Sequence, residues 1–338
     1  IAATNVARWD GGRWTPPPWD PSGTLSYPRL SDFVTFDDAT GPALFGIGVF
    51  ESPGGSARSA LAKYVNQTWI VVGQVDPNGN GLAAVEVLKN SAAGHIYVGG
   101  HFNAIGGAPL QAIARWGGSA WSTVGGPLWY PNPTSNLRVV GLKTHDDGSG
   151  PALYVSGYFT LAGGVAVPSF ARWDGREWSA VGLGQAHTPA GVGLSAAGDA
   201  GNGRSALYAS GSFPDTTPGS YVAGIGRWDG NSWERIGRLN FGVWVDDMLT
   251  FDDGSGPALF AAGEFRGVDG VPSWNLAKWQ GCPCKADCDG DGTLTVADFA
   301  CFQSRYVLGA AYADCTGDRD LTVADFGCFQ NTFVLGCP

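Results

Sequence analysis

The sequence predicts an all-β fold for most of the chain, followed by a small helical module at its C-terminal end. The 338 residues include 53 Gly and 14 Trp but a single Met, and abundant Gly with many aromatic residues is typical of strands joined by tight turns. A unit of about 54 residues recurs up to residue 281, and all seven Cys lie beyond that residue. We therefore predict one β domain over 1–281 and a second domain over 282–338.

The first element of the repeat is a strand that ends in a Gly followed two residues later by a Phe. Five copies align without gaps: "ALFGIGVF" (43–50), "HIYVGGHF" (95–102), "ALYVSGYF" (152–159), "ALYASGSF" (206–213) and "ALFAAGEF" (258–265). A Gly inside a strand marks a bulge or a close approach of another backbone. We expect this Gly to allow neighbouring strands to approach closely in every unit.

The second element is a pair of aromatic residues five positions apart with Asp-Gly or a relative between them. It occurs as "VARWDGGRW" (6–14), "LAKYVNQTW" (61–69), "IARWGGSAW" (113–121), "FARWDGREW" (170–178), "IGRWDGNSW" (225–233) and a truncated "LAKWQG" (276–281). This pattern predicts strand, tight turn and strand. An apolar stretch before each Gly-x-Phe strand supplies one more strand, so each unit has four. The apolar stretch is the first strand, the Gly-x-Phe strand is the second, and the two aromatic residues lie on the third and fourth.

Four-stranded units repeated at about 54 residues predict a β-propeller, in which each sheet is a blade. First, second and fourth strands occur five times, so the ring has five blades. The fifth unit lacks a fourth strand, which the N-terminal "GRWTPP" can supply, closing the ring between the two ends of the β domain. One third-strand copy, "NVARWD" or "NLAKWQ", is then left over to cap an edge or pair with a neighbouring molecule. The pattern resembles the kelch and galactose-oxidase propellers.

The segment "DCDGDGTLTVADF" (287–299) has the spacing of an EF-hand calcium loop. Oxygen ligands at positions 1, 3, 5, 7 and 12 surround a cation when the chain curls tightly, with Gly at position 6. Gly292 takes that turn position. The predicted ligands are Asp287, Asp289, Asp291, Thr293 through its carbonyl, and Asp298.

The same unit recurs 27 residues later as "DCTGDRDLTVADF", which predicts a second calcium site. It departs from the loop pattern twice, because Thr316 replaces a carboxylate and Arg319 replaces the turn Gly. The first site is therefore the better supported of the two. The predicted ligands of the second site are Asp314, Thr316, Asp318, Asp320 through its carbonyl, and Asp325.

Cysteines are confined to this tail, which favours disulfides and an oxidising compartment. A zinc site is disfavoured because the tail has no His and no paired CxxC units. The number is odd, so one thiol is left free or bonds another molecule. The candidates are Cys282, Cys284, Cys288, Cys301, Cys315, Cys328 and Cys337.

The tail over about 285–336 resembles a type I dockerin, in particular the Cys-bearing, "GC"-ending dockerin-like tails of bacterial surface proteins. The resemblance implies two duplicated loop–helix segments and binding to a cohesin module through loop positions 10 and 11. Those positions are Val296, Ala297, Val323 and Ala324, identical in the two halves. The symmetry of the cysteine pairs Cys288/Cys315 and Cys301/Cys328 suggests disulfides that tie each loop to its helix. The extra cysteines depart from the ordinary dockerin pattern, so the partner is either a cohesin-like module or another copy of the chain.

Composition and motifs narrow the function classes. The net charge of −10 disfavours nucleic acid as a partner, and no apolar run of about 18 residues predicts a membrane span. The sequence begins with no signal peptide, so we expect a mature form of an extracellular or cell-surface protein.

The paired acids of "DDATGPAL" (37–44) and "DDGSGPAL" (146–153, 252–259) are interpreted as turn caps, with cation binding as the alternative.

No catalytic constellation is recognised in the sequence. His95, His101, His145 and His187 lack metal-site spacing, and the Arg that recurs in the repeat is interpreted as structural. We therefore expect a non-enzymatic structural or adhesive protein that is docked or self-assembled, in filaments or a surface layer, through its tail. The alternatives are a carbohydrate-binding propeller, with Trp19, Trp129, Tyr130 and Trp244 as candidate stacking residues, and a glycosidase or polysaccharide lyase.

Overall fold

The structure is a computed structural model that describes most of the repeat and the two helices of the tail. The described residues are 8–9, 13–15, 29–51, 57–66, 68–89, 94–131, 137–167, 169–181, 190–200, 205–214, 221–228, 230, 233–240, 244–253, 257–279, 286, 288, 294–309, 313, 315 and 320–335. The chain divides into two compact units, Ile1–Ser195 with Leu207–Leu239 and Ala196–Ala206 with Asn240–Pro338. The predicted domain boundary at 281/282 stays a prediction.

Strands account for most of the described residues, and the predicted all-β character of the repeat is confirmed. The strands of the first half are β1 (Arg8–Trp9), β2 (Trp14–Thr15), β3 (Arg29–Asp37), β4 (Pro42–Glu51), β5 (Ala57–Val65), β6 (Thr68–Gln74), β7 (Gly81–Leu88), β8 (His95–His101), β9 (Ile113–Trp116), β10 (Trp121–Ser122), β11 (Leu128–Trp129), β12 (Arg138–Asp146) and β13 (Pro151–Tyr158). The second half contributes β14 (Leu161–Ala162), β15 (Val165–Ala166), β16 (Phe170–Trp173), β17 (Trp178–Ala180), β18 (Ala190–Asp199), β19 (Ser205–Pro214), β20 (Tyr221–Trp228), β21 (Trp233–Asn240), β22 (Trp244–Asp252), β23 (Pro257–Glu264), β24 (Gly267–Val268), β25 (Val271–Pro272) and β26 (Leu276–Trp279). The helices are α1 (Val296–Val307) and α2 (Val323–Leu335).

Each repeat unit forms an antiparallel sheet whose strand order follows the chain. The first sheet contains β3 to β6, the second β7 to β10, the third β12, β13, β16 and β17, and the fourth β18 to β21. The fifth contains β22, β23 and β26. Among the described residues no sheet closes on itself, and β1 pairs with β2 in a separate two-stranded sheet. Since β26 occupies the third place of the fifth sheet, the left-over third-strand copy is β1.

The predicted aromatic pairs face each other across the third and fourth strands. Trp116 pairs with Trp121, Trp173 with Trp178 and Trp228 with Trp233, with ring centroids 5.3, 5.2 and 5.7 Å apart. Aromatic cross-strand pairs stabilise a hairpin beyond the area they bury. The strand–turn–strand interpretation of this motif is therefore confirmed.

The repeated Gly lies opposite a β-bulge in the first strand of its sheet. Gly100 pairs with Leu82 and Gly157 with Val139, and in both cases the register shifts at the next residue of the first strand. A Cβ would lie 2.8 Å from Leu82 Cα at Gly100 and 2.9 Å from Val139 Cα at Gly157. The motif needs Gly because the bulged backbone comes too close for any side chain.

In the second, third and fifth units, the carbonyl of the repeated Phe accepts a hydrogen bond from a residue with positive φ that lies immediately before the third strand. Ser169 has φ of 64°, donates its N–H to the carbonyl of Phe159 and accepts from the N–H of Gly157. The same two bonds join Ala112 to Phe102 and Gly100, and Asn275 to Phe265 and Gly263. The left-handed residue thus bonds the backbone of both the Gly and the Phe, so these two residues must lie two positions apart.

A short β-ribbon between the second and third strands was not predicted. Its turns have two consecutive positive φ values, at Gly106 and Gly107, Gly163 and Gly164, and Asp269 and Gly270, which is type I′ geometry. In the third unit β14 pairs with β15 and also with β11, the segment that follows the second sheet, and the three strands form a small sheet of their own. Gly106 likewise donates its N–H to Gln74, which belongs to the first sheet. The ribbons of the second and third units therefore each link their sheet to the preceding part of the repeat through backbone hydrogen bonds.

The first three sheets pack face to face in chain order. We call the side of a sheet that packs on the next sheet its forward face and the opposite side its backward face. In one cluster the forward residues Phe36, Phe45 and Leu61 of the first sheet meet the backward residues Val85, Ile96 and Val98 of the second. In another, Leu88, Tyr97 and Ile113 of the second sheet meet Leu142, Leu153 and Val155 of the third.

Polar contacts follow the same order of sheets. Val85 N donates to Asp32 Oδ2, and Thr144 Oγ1 donates to Glu86 Oε1, each at 3.3 Å. Leu194 N donates to Ser156 Oγ at 3.0 Å, and Thr250 Oγ1 donates to the Ala197 carbonyl at 3.0 Å. From the second sheet onward, the first strand of each sheet therefore bonds a residue of the sheet before it along the chain.

Candidate functional site

The helix pair of the tail has a core that is duplicated residue by residue. The buried residues Ala286, Cys288 and Phe302 recur 27 positions later as Ala313, Cys315 and Phe329. The half-buried residues around them repeat with the same offset: Leu294 and Leu321, Phe299 and Phe326, Cys301 and Cys328, Tyr306 and Phe333. Each half therefore contributes the same side chains to a shared core.

The aromatic rings of this core are arranged symmetrically. Phe302 stacks on its counterpart Phe329 with ring centroids 4.1 Å apart and planes inclined by 15°. The cross pairs are nearly equal, 5.7 Å for Phe299–Phe329 and 5.4 Å for Phe302–Phe326. An approximate twofold relation between the halves follows, with the Phe302–Phe329 stack at its centre.

Each half has one disulfide that ties its loop segment to its helix, as the symmetry of the cysteines suggested. Cys288 bonds Cys301 and Cys315 bonds Cys328, with Cα atoms 5.7 and 5.8 Å apart. In each half the bonded cysteines are 13 positions apart along the chain. In the chain-entropy account a loop of about 15 residues is stabilised by about 3 kcal/mol. Cys282, Cys284 and Cys337 lie outside the described residues.

Each helix begins with a capping box that uses a predicted calcium ligand. Asp298 is fully buried, and its Oδ2 accepts from Thr295 N at 2.8 Å, while Thr295 Oγ1 accepts from Ala297 N. The second half repeats these bonds with Asp325 and Thr322. Negative charge at a helix N-terminus is stabilised by the helix dipole and by the backbone N–H groups there.

The buried carboxylates of Asp298 and Asp325 are oxygen ligands of the kind that calcium binds. Burial of a carboxylate is costly unless it is paired, hydrogen-bonded or bound to a metal, and calcium takes oxygen ligands. A carboxylate can accept from several donors, so the capping bond and cation binding are compatible. Asp320 is exposed beside the second helix. The other predicted ligands lie outside the described residues: Asp287, Asp289, Asp291, Thr293, Asp314, Thr316 and Asp318. Over the described residues alone, no three His, Cys, Asp or Glu side chains form a metal-binding group.

The predicted docking residues are exposed in both halves. Val296 and Ala297 lie in the first turn of α1, and Val323 and Ala324 lie in the first turn of α2. Val296 is 84% exposed and Val323 74%, although both are apolar. The structure adds a second symmetric pair that sequence patterns missed, Val307 and Val334, near the C-terminal ends of the helices. Val307 and Val334 are 27 positions apart, the same offset as the two halves of the tail, so the sequence duplication could have identified them.

In the repeat, the paired acids act as turn caps. Asp146 Oδ1 accepts from the N–H groups of Gly148 and Gly150, and Asp147 Oδ1 accepts from Ser149 N. Asp37 and Asp38 make the equivalent bonds in the first sheet. The geometry favours the turn-cap interpretation over cation binding at these two turns.

The second acid of each turn also forms an ion pair with a basic residue of the third strand. Asp38 lies 2.7 Å from Lys63 and Asp253 lies 2.8 Å from Lys278, while Arg172 Nε lies 3.8 Å from Asp147. Burial raises the pKa of Asp147, but hydrogen bonds from Ser149 and Tyr154 and the charge of Arg172 outweigh it and hold the pKa at about 2. In the first, third and fifth units these charges therefore have structural partners.

The histidines of the repeat are also engaged in the fold. His101 Nδ1 accepts from Asn80 N, and the rings of His95 and His145 contact Tyr97 and Tyr154. Burial lowers the pKa of His95 and of His145, so both favour the neutral form. His187 lies outside the described residues.

Two of the candidate sugar-stacking residues are described in full. Trp129 on β11 is half exposed, and Tyr130 beside it is half-buried. Trp19 lies outside the described residues. No helix among the described residues is long and apolar enough to cross a membrane.

Comparison with protein-family models and with curated proteins finds no match to this chain.

Proposed function

We propose that the chain is a non-enzymatic extracellular protein with a structural or adhesive role, and that its C-terminal helix pair docks it to a protein partner. The observation that carries this proposal is the duplication of the helix pair, whose two halves each expose an apolar helix start at Val296 and Val323. Exposed aliphatic side chains on a rigid support are typical of protein-interaction surfaces. The partner is a cohesin-like module or another copy of the chain.

Calcium is part of this proposal. Asp298 and Asp325 would each supply the last ligand of a loop. The other predicted ligands are Asp287, Asp289, Asp291 and Thr293 in the first loop, and Asp314, Thr316, Asp318 and Asp320 in the second. A bound cation would neutralise those carboxylates and fix each loop against its helix. The two disulfides support the same arrangement, since each ties a loop segment to its helix, and they favour an oxidising compartment.

The repeat would present this docking module on a rigid β scaffold. Its face-to-face sheets and linking ribbons support the five-bladed propeller predicted from the sequence. Closure of that ring by the Trp14 strand stays a prediction. Carbohydrate binding is the second candidate, because half-exposed Trp129 on β11 offers a flat aromatic surface.

Docking through the helix starts is tested by charge substitution in both halves. Val296→Asp with Val323→Asp should abolish calcium-dependent binding to an immobilised cohesin-like module or to the wild-type chain in surface plasmon resonance. Each single variant should keep binding, because the other half offers the same surface. The control Gln303→Glu with Gln330→Glu adds the same two charges at exposed positions inside the two helices. Undiminished binding by the double variant would contradict the proposal.

A further inference from the structure

The basic residue of the third strand forms an ion pair in four of the five sheets, and the second sheet is the exception. The four pairs are Lys63–Asp38, Arg172–Asp147, Arg227–Glu234 and Lys278–Asp253. Arg115 takes this position in the second sheet, where it lies opposite Tyr97 as Arg172 lies opposite Tyr154. Over the described residues, Arg115 donates to Ser122 and has no carboxylate within ion-pair distance.

The turn between the first and second strands has lost its acids in the second unit. In the third unit this turn begins with Asp146 and Asp147, and Asp147 is the partner of Arg172. The aligned positions of the second unit are Lys89 and Asn90, since both turns span the same number of residues. The second unit therefore has one positive charge, on the exposed Lys89, where the third unit has two negative charges.

The hairpin after the third strand has lost an acid as well. In the third unit this hairpin begins with Asp174, whose pKa is lowered by a hydrogen bond from the Glu177 backbone and by the charge of Arg172. Gly117 stands at the same position in the hairpin of the second unit. Both acids that surround the base in the third unit are therefore missing around Arg115.

The second sheet also has a histidine at a position where other sheets have an alanine. His95 is paired with Leu88, and the residues at its position in the first, third and fifth sheets are Ala43, Ala152 and Ala258. Its ring lies close to Gly117, since a Cβ built on that glycine would be 3.5 Å from His95 Cδ2. His95 Nδ1 is buried and, within the described part of the chain, has no hydrogen-bond partner. A buried polar atom normally has a partner, so this nitrogen is available to a ligand.

The surroundings of His95 are positively charged. Burial and the nearby charge of Arg115 both lower the pKa of His95. Burial also lowers the pKa of His145 in the third unit, but there the charges of Asp146 and Asp147 oppose it. This end of the second sheet thus favours a negative group, which the described residues do not supply.

We propose that Arg115 and His95 bind an oxyanion, the carboxylate, sulfate or phosphate group of a ligand, and that Lys89 adds to its attraction. Ser122 Oγ accepts from Arg115 Nε at 2.9 Å, which orients the guanidinium and leaves both terminal nitrogens to donate. Two parallel donors of this kind match two oxygens of an oxyanion. The ligand would then take the place of the carboxylate that pairs with the base in the other sheets.

This site does not depend on docking through the helix pair. An oxyanion can reach it as a free ion or as an acidic substituent of a polysaccharide. In the second case the site rests on the carbohydrate-binding candidate and specifies it, because the preferred glycans would be acidic ones.

Titration of the full chain with inorganic sulfate, followed by the imidazole resonances in NMR spectra at constant pH and ionic strength, tests the site. The His95 resonances, identified by their loss in His95→Gln, should shift until the site is saturated. Arg115→Gln should weaken the affinity by about tenfold or more. The matched control Arg172→Gln removes the paired base of the third unit and should bind sulfate like the wild type. The same spectra show whether each variant is folded.

Restoring the acid is a second test that leaves Arg115 in place. Asn90→Asp returns the acid found at this turn position in the first, third and fifth units, and it should weaken sulfate binding by giving Arg115 a partner. A sulfated oligosaccharide that binds more tightly than sulfate, and that needs Arg115, would assign the oxyanion to a glycan. Binding of sulfate alone would assign it to a free ion and would count against the carbohydrate candidate. Absence of a saturable His95 shift with either ligand, or a shift that Arg115→Gln leaves unchanged, would overturn the inference.

Discussion

Asp147 shows how single residues hold the turns of the repeat. Its carboxylate accepts hydrogen bonds from Ser149 and from the Tyr154 hydroxyl and lies beside Arg172, while the chain reverses direction around it. Its side chain is 17% exposed, so these interactions are only partly screened by solvent. Asp38 and Asp253 occupy the same position in their turns and also pair with a basic residue. This shared role explains why the Asp-Asp turn recurs along the chain.

Asp147→Asn should lower the free energy of unfolding by about 2 kcal/mol at pH 7. The folded-state pKa is about 2, below the ordinary value of 3.8, so the ionised form stabilises the fold. That contribution is present above pH 4 and is lost as pH falls toward 2, where wild type and variant should converge. Urea unfolding at pH 7 and at pH 2.5 measures both effects.

Asp253→Asn is the matched control, since Asp253 occupies the same turn position but its side chain is 39% exposed. An exposed ion pair contributes less than about 1 kcal/mol. Equal losses in the two variants, or a loss at Asp147 that does not change with pH, would contradict the role given to this carboxylate.

At the scale of elements, the Gly-x-Phe strand is defined by backbone contacts. The Gly accommodates the bulge of the first strand, and the Phe carbonyl accepts from the left-handed residue before the third strand. The bulge opposite the Gly recurs in the first, second, third and fifth units, and the left-handed residue recurs in the second, third and fifth. These contacts explain why the Gly and the Phe keep the same spacing in the units that make them.

Gly157→Ala should destabilise the first compact unit by about 1–3 kcal/mol, because the new Cβ would press against the backbone of Arg138 and Val139. Gly327→Ala is the contrasting substitution. Gly327 lies inside α2 with open space around its missing Cβ, and its counterpart in the first half is Ala300.

Ala in place of Gly327 should stabilise α2 by about 0.5–1 kcal/mol, since Gly is unfavourable in a helix interior. Thermal unfolding followed by circular dichroism should therefore show opposite shifts for the two variants. A Gly157→Ala variant as stable as the wild type would show that the close approach at the bulge is not what requires Gly.

Local patterns predicted the elements well, and features without a pattern were missed. The aromatic pairs at five-residue spacing fixed the register of the third and fourth strands because both partners lie in one hairpin. The β14–β15 and β24–β25 ribbons escaped because strands of two residues have no periodicity, although their Gly-Gly and Asp-Gly turns were visible. The burial of individual residues between the first three sheets could not be predicted, since it depends on which sheet covers which.

At the scale of the whole molecule, the chain combines two kinds of internal repetition. Sheets recur about every 54 residues, and the two halves of the helix pair, 27 residues apart, pack about an approximate twofold. The twofold pair presents the same apolar surface twice, at Val296 and at Val323. This duplication is why we assign docking to the helices.

Isothermal titration calorimetry with calcium tests the central claim most directly, that metal ions hold the helix pair in its docking form. The wild-type chain, freed of metal, should bind two calcium ions. Asp289→Ala with Asp291→Ala should remove one site, and Asp314→Ala with Asp318→Ala the other. Conversion of the turn acids Asp146 and Asp147 to Asn should leave both sites intact. A wild-type chain that binds no calcium, or that loses binding only when the turn acids are changed, would contradict the account.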